Sequence, residues 1–401
     1  MPIEPTRDWK LLLSILPPEY ERLAIEHGVL KLQWKNSKIT AAAELLRLLF
    51  VHAGADIPLR QTVALVGEAG GPQISAVVLH KKMRNAAPYL GELIARMCGD
   101  ARQAAPELWG WYELLGVDAS TVSGPGAEGI DARMHTVIRI ADVRPVQVKV
   151  TDVSEGETLR RFTWDPNQLV IGDRGYANAP GIISVVDQGA DVLVRVNRGA
   201  LPLYDGDEVI DVLDWLRSLR GHRAFERDVT VRYGTGREKR EVTGRLIGFR
   251  LPDDEAAEAR ARVLKEHGAK ATEELLEAAS YVALFTTAPA ERLSAARCVE
   301  AYRLRWQIEL QFKRWKSLCG FDRLPNYRDD TIRSWLSVKV LLGLILDKIG
   351  SAAAELSPPE VDIDSLRAQR FRRSAYRTTA VEAHEHHLAN NARGDSAHRA
   401  A

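Results

Sequence analysis

QLVIGDRGYANAPGIISVVDQGADVLVRV, residues 168–196, reads as a strand, a turn, a helix and a second strand. Gln168 to Gly172 is a short apolar run, Asp173 ends it, and Arg174-Gly175-Tyr176 turns the chain. Pro180 to Gln188 suits a crossover helix, and Asp191 to Val196 is again β-rich. Two strands joined through a helix run parallel, and parallel strands are buried under helices, so the fold class is α/β. Acidic side chains just past such strand ends lie where these folds hold ligands, which makes Asp173 a candidate functional residue. Its competing role is that of an ordinary turn-forming or helix-capping Asp.

Upstream, Leu114 to Val117 ends on Asp118, and two β-rich stretches follow, Met134 to Val143 and Val146 to Val153. Short connections between three successive strands predict an antiparallel meander. Gly124-Pro-Gly126-Ala-Glu-Gly129 matches GxGxxG, but it leads into a β-rich stretch rather than opening a helix, so a hairpin or loop is the better reading than a dinucleotide site. Residues 1–105 read as helices at Glu19 to His27, Ile39 to His52, Pro58 to Val66, Ile74 to Asn85 and Pro88 to Cys98. The helices flanking GEAGG (67–71), the second carrying Lys81, Lys82 and Arg84, have the outline of a helix-turn-helix DNA reader; an ordinary packing unit is the alternative.

Downstream, residues 199–290 form an excursion: a helix near Asp211 to Leu219, β-rich pieces at Asp228 to Tyr233 and Lys239 to Arg250, an acidic helix from Asp253 to Ala279, and a strand at Tyr281 to Thr286. Trp215 is a candidate for stacking on a DNA base, with a core position on its own helix as the stronger alternative. Then comes SAARCVEAYRLRWQIELQFKRWKSLCG, 294–320, whose apolar residues recur every three or four positions between Ser294 as N-cap and Gly320 as stop, predicting one long helix. At about 100° per residue, Arg305, Glu309 and Lys316 all fall within roughly 60° of Tyr302. On charge alone this stripe is a solvated amphipathic face. Trp306, Leu310 and Trp315 are expected to anchor the helix. Thr331 to Ile349 is a further helix suited to packing on the sheet, and residues 350–401 read as a poorly ordered tail.

The 401 residues carry a net charge of +1, so any nucleic-acid surface must be local. Arg227 to Arg250 holds seven Lys/Arg against three acids, which the acidic run after it balances. Three cysteines without CxxC spacing suggest neither a disulfide framework nor a zinc knuckle, and fit a reducing cytoplasm. The apolar runs at Leu11 to Leu16 and Val340 to Leu346 are too short for a signal-peptide core or a membrane span.

Asp118 and Asp173 at strand ends and Glu309 on a helix form a three-carboxylate set. Such a set suits two Mg²⁺ or Mn²⁺ ions, which take oxygen ligands and leave positions for water and substrate phosphate. Here the residues carry a family resemblance. Tyr302, Arg305, Glu309 and Lys316 reproduce the Y-x2-R-x3-E-x6-K signature, so the chain resembles bacterial DDE transposases of the insertion sequence four group. Asp118 in LLGVDAST resembles the first-Asp motif of that group, and VIGDRGY at 170–176 its second. Asp131 competes with Asp118 for the first position, but its hairpin loop gives less reason for rigidity. The resemblance spans Trp109 to Ile349.

It implies a ribonuclease H-like catalytic core over 106–349 with a mostly β insertion at 199–290, preceded by a helical N-terminal DNA-binding domain at 1–105. It implies Asp118, Asp173 and Glu309 as metal ligands, and Tyr302, Arg305 and Lys316 on the DNA backbone near the cleaved phosphate. It implies, further, a cytoplasmic, nucleoid-associated enzyme that binds terminal inverted repeats and target DNA as a homodimer. Water would cleave first, and the freed 3′-OH would then attack the target. A ribonuclease H-like nuclease without strand transfer and a catalytically silent DNA-binding regulator are the rival readings.

Overall fold

The expected strand, helix and strand are β4 (Gln168–Gly172), α6 (Ala179–Val186) and β5 (Asp191–Arg195), with β4 and β5 parallel as anticipated. The structure, a computed structural model, describes residues 5–30, 38–103, 109–123, 132–152, 154–321, 324 and 329–355. The chain divides into two compact units, 1–347 and 348–401; of the second, only the end of the last helix is described. The glycine-rich stretch 124–129, Asp131 and the tail beyond 355 lie outside the described residues.

Before β4 stands the predicted meander, β1 (Glu113–Val122), β2 (Ala132–Arg139) and β3 (Arg144–Thr151), and β1 pairs parallel with β4. After β5 come β6 (Leu203–Asp205), β7 (Glu208–Val209), α7 (Val212–Ser218), β8 (Phe225–Tyr233) and β9 (Arg240–Arg250). The acidic stretch is not one helix. It breaks at Gly268, whose φ of +53° ends α8 (Asp253–His267) before α9 (Glu273–Ala278) leads into β10 (Tyr281–Thr286). The excursion does not stand apart from the sheet, because β10 pairs antiparallel with both β5 and β9. One ten-stranded sheet results, in the order β3-β2-β1-β4-β5-β10-β9-β8-β6-β7.

Helices cover both faces of this mixed α/β sheet. On one side Leu115, Val117, Val170 and Val192 pack against Ile182 and Val185 of α6 and Leu216 of α7. Trp215 is half-buried against that same core and lies against Gly248, so its packing role prevails over base stacking. On the other side Val122, Met134, Ile138 and Val148 share one core with the N-terminal helices and the last two helices. The N-terminal helices are α1 (Pro5–Ile15), α2 (Tyr20–Glu26), α3 (Ala42–Gly54), α4 (Leu59–Glu68) and α5 (Ala76–Gln103).

Two helices were expected where α5 runs unbroken through Pro88. Proline removes one backbone donor and crowds the preceding turn, a cost of about 3 kcal/mol. Leu79, Met83, Tyr89, Leu90 and Leu93, all fully buried on either side of it, gain more than that by staying in one helix. The long helix expected at 294–320 is likewise modified. It forms α10 (Ala295–Arg303) and α11 (Gln307–Cys319) with a 3₁₀ turn at Leu304–Trp306 between them, followed by α12 (Asp329–Glu355). No helix among the described residues is long and apolar enough to cross a membrane.

Two buried histidines make stability depend on pH. His52 Nδ1 lies 2.6 Å from the Ile57 carbonyl with the Trp335 ring edge-on, and His135 Nε2 lies 3.0 Å from Thr151 Oγ1. Burial pushes each imidazole down to about 4, and for His135 the nearby Arg161 and Arg133 push the same way. Each is neutral in the folded protein, whereas the unfolded chain takes up a proton near 6.5. Their contribution is therefore complete above pH 6.5 and lost as pH falls through 4, on the order of 3 kcal/mol each. Denaturant unfolding should show that loss between pH 6.5 and 4, and His135→Gln should flatten it; an unchanged slope in the variant would contradict the assignment.

Candidate active site

Asp118 lies inside β1 rather than at its end, since the strand runs on to Val122. Parallel pairing with β4 nevertheless stops at Gly116 opposite Ile171. Carried two residues further, that register sets Asp118 alongside Asp173, where β4 has ended and the sheet opens a notch. The two-residue alternation of a strand turns Asp118 toward the face that bears Val122, the face covered by α11. Asp173 also makes the anticipated turn, its Oδ1 accepting from the Gly175 amide at 2.8 Å.

Glu309 reaches this notch from the first turn of α11. Buried Ile308, Phe312, Trp315 and Cys319 anchor that helix, whereas Leu310, expected among the anchors, is exposed. Within α11 the five residues from Leu310 to Trp315 amount to about 140° of rotation at ~100° per residue, so the two cannot share the buried face. Asp347 of α12 fixes the helix further, its carboxylate accepting from Gln311 Nε2 at 2.7 Å and Trp315 Nε1 at 3.1 Å and pairing with Arg314 at 2.6 Å. A Cβ at Gly343 would lie 2.8 Å from Trp315 Nε1, so only glycine lets α11 and α12 approach this closely.

Arg305 stands between the carboxylates. Its guanidinium lies 3.0 Å from Glu309 Oε1, 3.5 Å from Asp118 Oδ2 and 6.0 Å from the centre of the Tyr302 ring. Burial opposes its charge, but Tyr302, Asp118, Glu309 and Asp173 outweigh burial and hold its pKa above the ordinary value. The structure thus gathers Asp118, Glu309 and Tyr302 around Arg305, with Asp173 at the neighbouring strand end. Lys316 is half-buried two turns further along α11, and its ammonium makes no hydrogen bond or ion pair among the described residues.

The Asp118 carboxyl is pushed up to about 6. Burial is the main cause, with Asp173 and Glu157 adding to it and the Ala119 amide and Arg305 opposing it. Glu157 was not singled out from the sequence, and nothing in SEGETL would have marked it, because its place depends on the turn after β4. Beside the notch opens a cleft of about 850 Å³, bordered by Arg174, Arg195, Arg198, Tyr302, Arg305 and Trp306. Glu255, Glu258 and Glu266 line it as well, so the cleft carries both signs of charge, with its cations at the end nearest the notch.

Residues 117–342 match the family model of the transposase DDE domain, and that span contains all six of the expected site residues. The chain belongs to the DDE transposase family. It is 31% identical over 361 residues to InsL, the protein assigned as transposase of insertion sequence element IS186A in Escherichia coli strain K12, covering 88% of this chain and 96% of that one. The same identity, over 362 residues and the same shares of each chain, relates it to the transposase of insertion sequence element IS421 of Escherichia coli. Among solved structures, the piggyBac transposase synaptic complex with hairpin DNA is similar at a TM-score of 0.40 and 10% identity, over 86% of this chain and 74% of that one, too weak a likeness to argue from. The protein is therefore a DNA transposase, and the nuclease and regulator readings are not favoured.

DDE transposases depend on divalent metal ions. Among the described residues no three His, Cys, Asp or Glu side chains stand close enough to enclose a metal unaided. The donors in the notch still fit one. They are oxygens only, Asp118 and Asp173 stand at neighbouring positions of adjacent strands, and a cation, Arg305, already lies against Asp118. Mg²⁺ is commonly held by one or two carboxylates, with waters and substrate phosphate completing its shell.

Proposed function

We propose that this DDE transposase binds the terminal inverted repeats of its element, holds two ends in a homodimer, and cleaves and joins DNA with Asp118, Asp173 and Glu309 as its metal-binding carboxylates. The observation that carries this is the convergence of Asp118 from β1 and Glu309 from α11 on one guanidinium beside Asp173. The strand order β3-β2-β1-β4-β5, a meander followed by two parallel strands, supports a ribonuclease H-like core. The Y-x2-R-x3-E-x6-K spacing supports the insertion sequence four group.

Bound at the carboxylates, Mg²⁺ or Mn²⁺, two ions with DNA present, would activate the attacking oxygen and stabilise the leaving one. The chain supplies the rest. Arg305 is poised to exchange its carboxylate partners for a phosphate oxygen as metal and DNA arrive, since a guanidinium binds either bidentately. Tyr302 packs beside it and fixes its approach. Lys316 lies free on the same helix to neutralise the backbone further along, and α1–α5, with Lys81 and Arg84 exposed on α5, are assigned to end recognition.

Incubation with a pre-cleaved inverted-repeat end, Mg²⁺ and a target plasmid should give joined product; nicking without joining would refute the strand-transfer assignment. Lys316→Ala should weaken end binding and reduce the slope of log affinity against log salt by about one. Identical affinity and slope in the variant would return Lys316 to the role of a solvated surface lysine.

A further inference from the structure

Strands β9 and β10 lie side by side, with Arg250 paired to Tyr281, so a short turn would suffice to join them. The chain instead makes the detour 251–280 through α8 and α9. That detour is acidic: Asp253 to Ala279 carries eight Asp/Glu against four Lys/Arg. It is also lightly anchored, since Ala256 is the one buried residue of α8 and α9 has none.

What the detour lies against is cationic. Gly172 of β4 is paired with Val194 of β5, so Arg195 stands alongside Asp173, and Arg198 follows just beyond the strand end. Glu274 of α9 pairs with Arg198 at 2.8 Å. Glu277 takes Arg217, in the last turn of α7, through two bonds of 2.7 and 3.0 Å, and Arg217 also pairs with Asp214 of its own helix at 2.6 Å. Such a fork is the geometry in which a guanidinium equally takes a phosphate. Both pairs are exposed, where ion pairs add little stability. A DNA backbone, which gains by releasing its condensed counterions, competes for the same arginines. Inside the cleft the two signs meet again, with Glu255, Glu258 and Glu266 of α8 lining it together with Arg174, Arg195 and Arg198 at the ends of β4 and β5.

We infer that Arg198 and Arg217 form a binding rim for the DNA backbone beside the active site, and that α8–α9 is an acidic cover whose Glu274 and Glu277 hold this rim until DNA phosphates replace them. With the cover down, a backbone entering along the arginines meets carboxylates. With it lifted, the path from Arg217 and Arg198 past Arg195 and Arg174 to Arg305 is cationic throughout. The inference draws on the DNA transposase assignment and not on which carboxylates bind metal.

The test is binding of the full chain to a labelled random-sequence DNA duplex, followed by fluorescence anisotropy, in wild type, Glu274→Gln/Glu277→Gln, Arg198→Ala/Arg217→Ala and the quadruple variant, with thermal melting alongside. The glutamine pair should bind roughly three- to tenfold more tightly than wild type, because DNA no longer has two exposed ion pairs to break. The alanine pair should bind more weakly. In the quadruple variant the glutamines should bring no gain over the alanine pair, since the carboxylates act through those two arginines. An equal gain in both backgrounds would reduce Glu274 and Glu277 to distant charges. No gain in either, or a lower melting temperature without tighter binding, would make their pairs ordinary structural ties. Each of these results overturns the proposal. Amide hydrogen exchange supplies the second reading: α8 and α9 should exchange faster with DNA bound than without it. Slower or unchanged exchange there would mean that the segment stays in place on DNA, and the cover would be overturned.

Discussion

Glu309→Gln should reduce both cleavage and joining by about a thousandfold or more while end binding stays close to wild type. The amide keeps the size and one acceptor of the carboxylate, so it can still receive the Arg305 hydrogen bond seen at 3.0 Å. The charge is what it loses. Glu309 has nearly half its side chain exposed, and the helix that bears it is held by Trp315, Phe312 and the Asp347 hydrogen bonds rather than by Glu309 itself. The fold should therefore be indifferent to the change. A metal ligand, by contrast, supports several kcal/mol of charge stabilisation in the transition state, and each 1.36 kcal/mol is tenfold in rate. Gel-shift binding and cleavage of one labelled end, measured on the same preparation, separate the two effects. Cleavage at the wild-type rate would remove Glu309 from the metal-binding set.

How much of this site could be read from the chain depends on how local its determinants are. The strand, turn, helix and strand at 168–196 were legible because each junction is marked in place, by Asp173, by Asn178 before Pro180, and by Gly189 before the second strand. Tyr302, Arg305 and Glu309 were legible because a fixed spacing on a helix survives even a 3₁₀ turn with only a small rotation. What depended on partners distant in sequence was not. The continuity of α5 through Pro88 is decided by the core packed on either side of it, and the joining of β10 to β5 by a return of nearly ninety residues. Asp118 was expected at a strand end, whereas β1 continues because β2 still pairs with it after β4 has stopped.

Lys339→Met should destabilise the protein by about 1–3 kcal/mol, the usual cost of leaving a buried acceptor, here the Cys319 carbonyl, without its donor, since the exposed Asp56 carboxylate can return to water. Lys339 is wholly buried in the apolar run of α12, where from sequence alone it has no visible partner. Its ammonium donates to Asp56 Oδ1 at 2.6 Å and to the Cys319 carbonyl at 2.7 Å, with the Trp335 ring centre 5.0 Å away. Methionine fills similar volume but leaves the Cys319 carbonyl, in the last turn of α11, without that donor. It also strips the counter-charge from Asp56, a residue held at φ +51°, where a side chain is strained unless its surroundings secure it. One ammonium therefore ties the turn between α3 and α4 to the end of the helix that carries Glu309. Denaturant unfolding of Lys339→Met, Asp56→Ala and the double variant should show a coupling of at least about 1 kcal/mol, because once either partner is gone the other contributes little. Additive losses, or a Lys339→Met variant as stable as wild type, would mean that the N-terminal helices and the catalytic helix are joined by apolar packing alone.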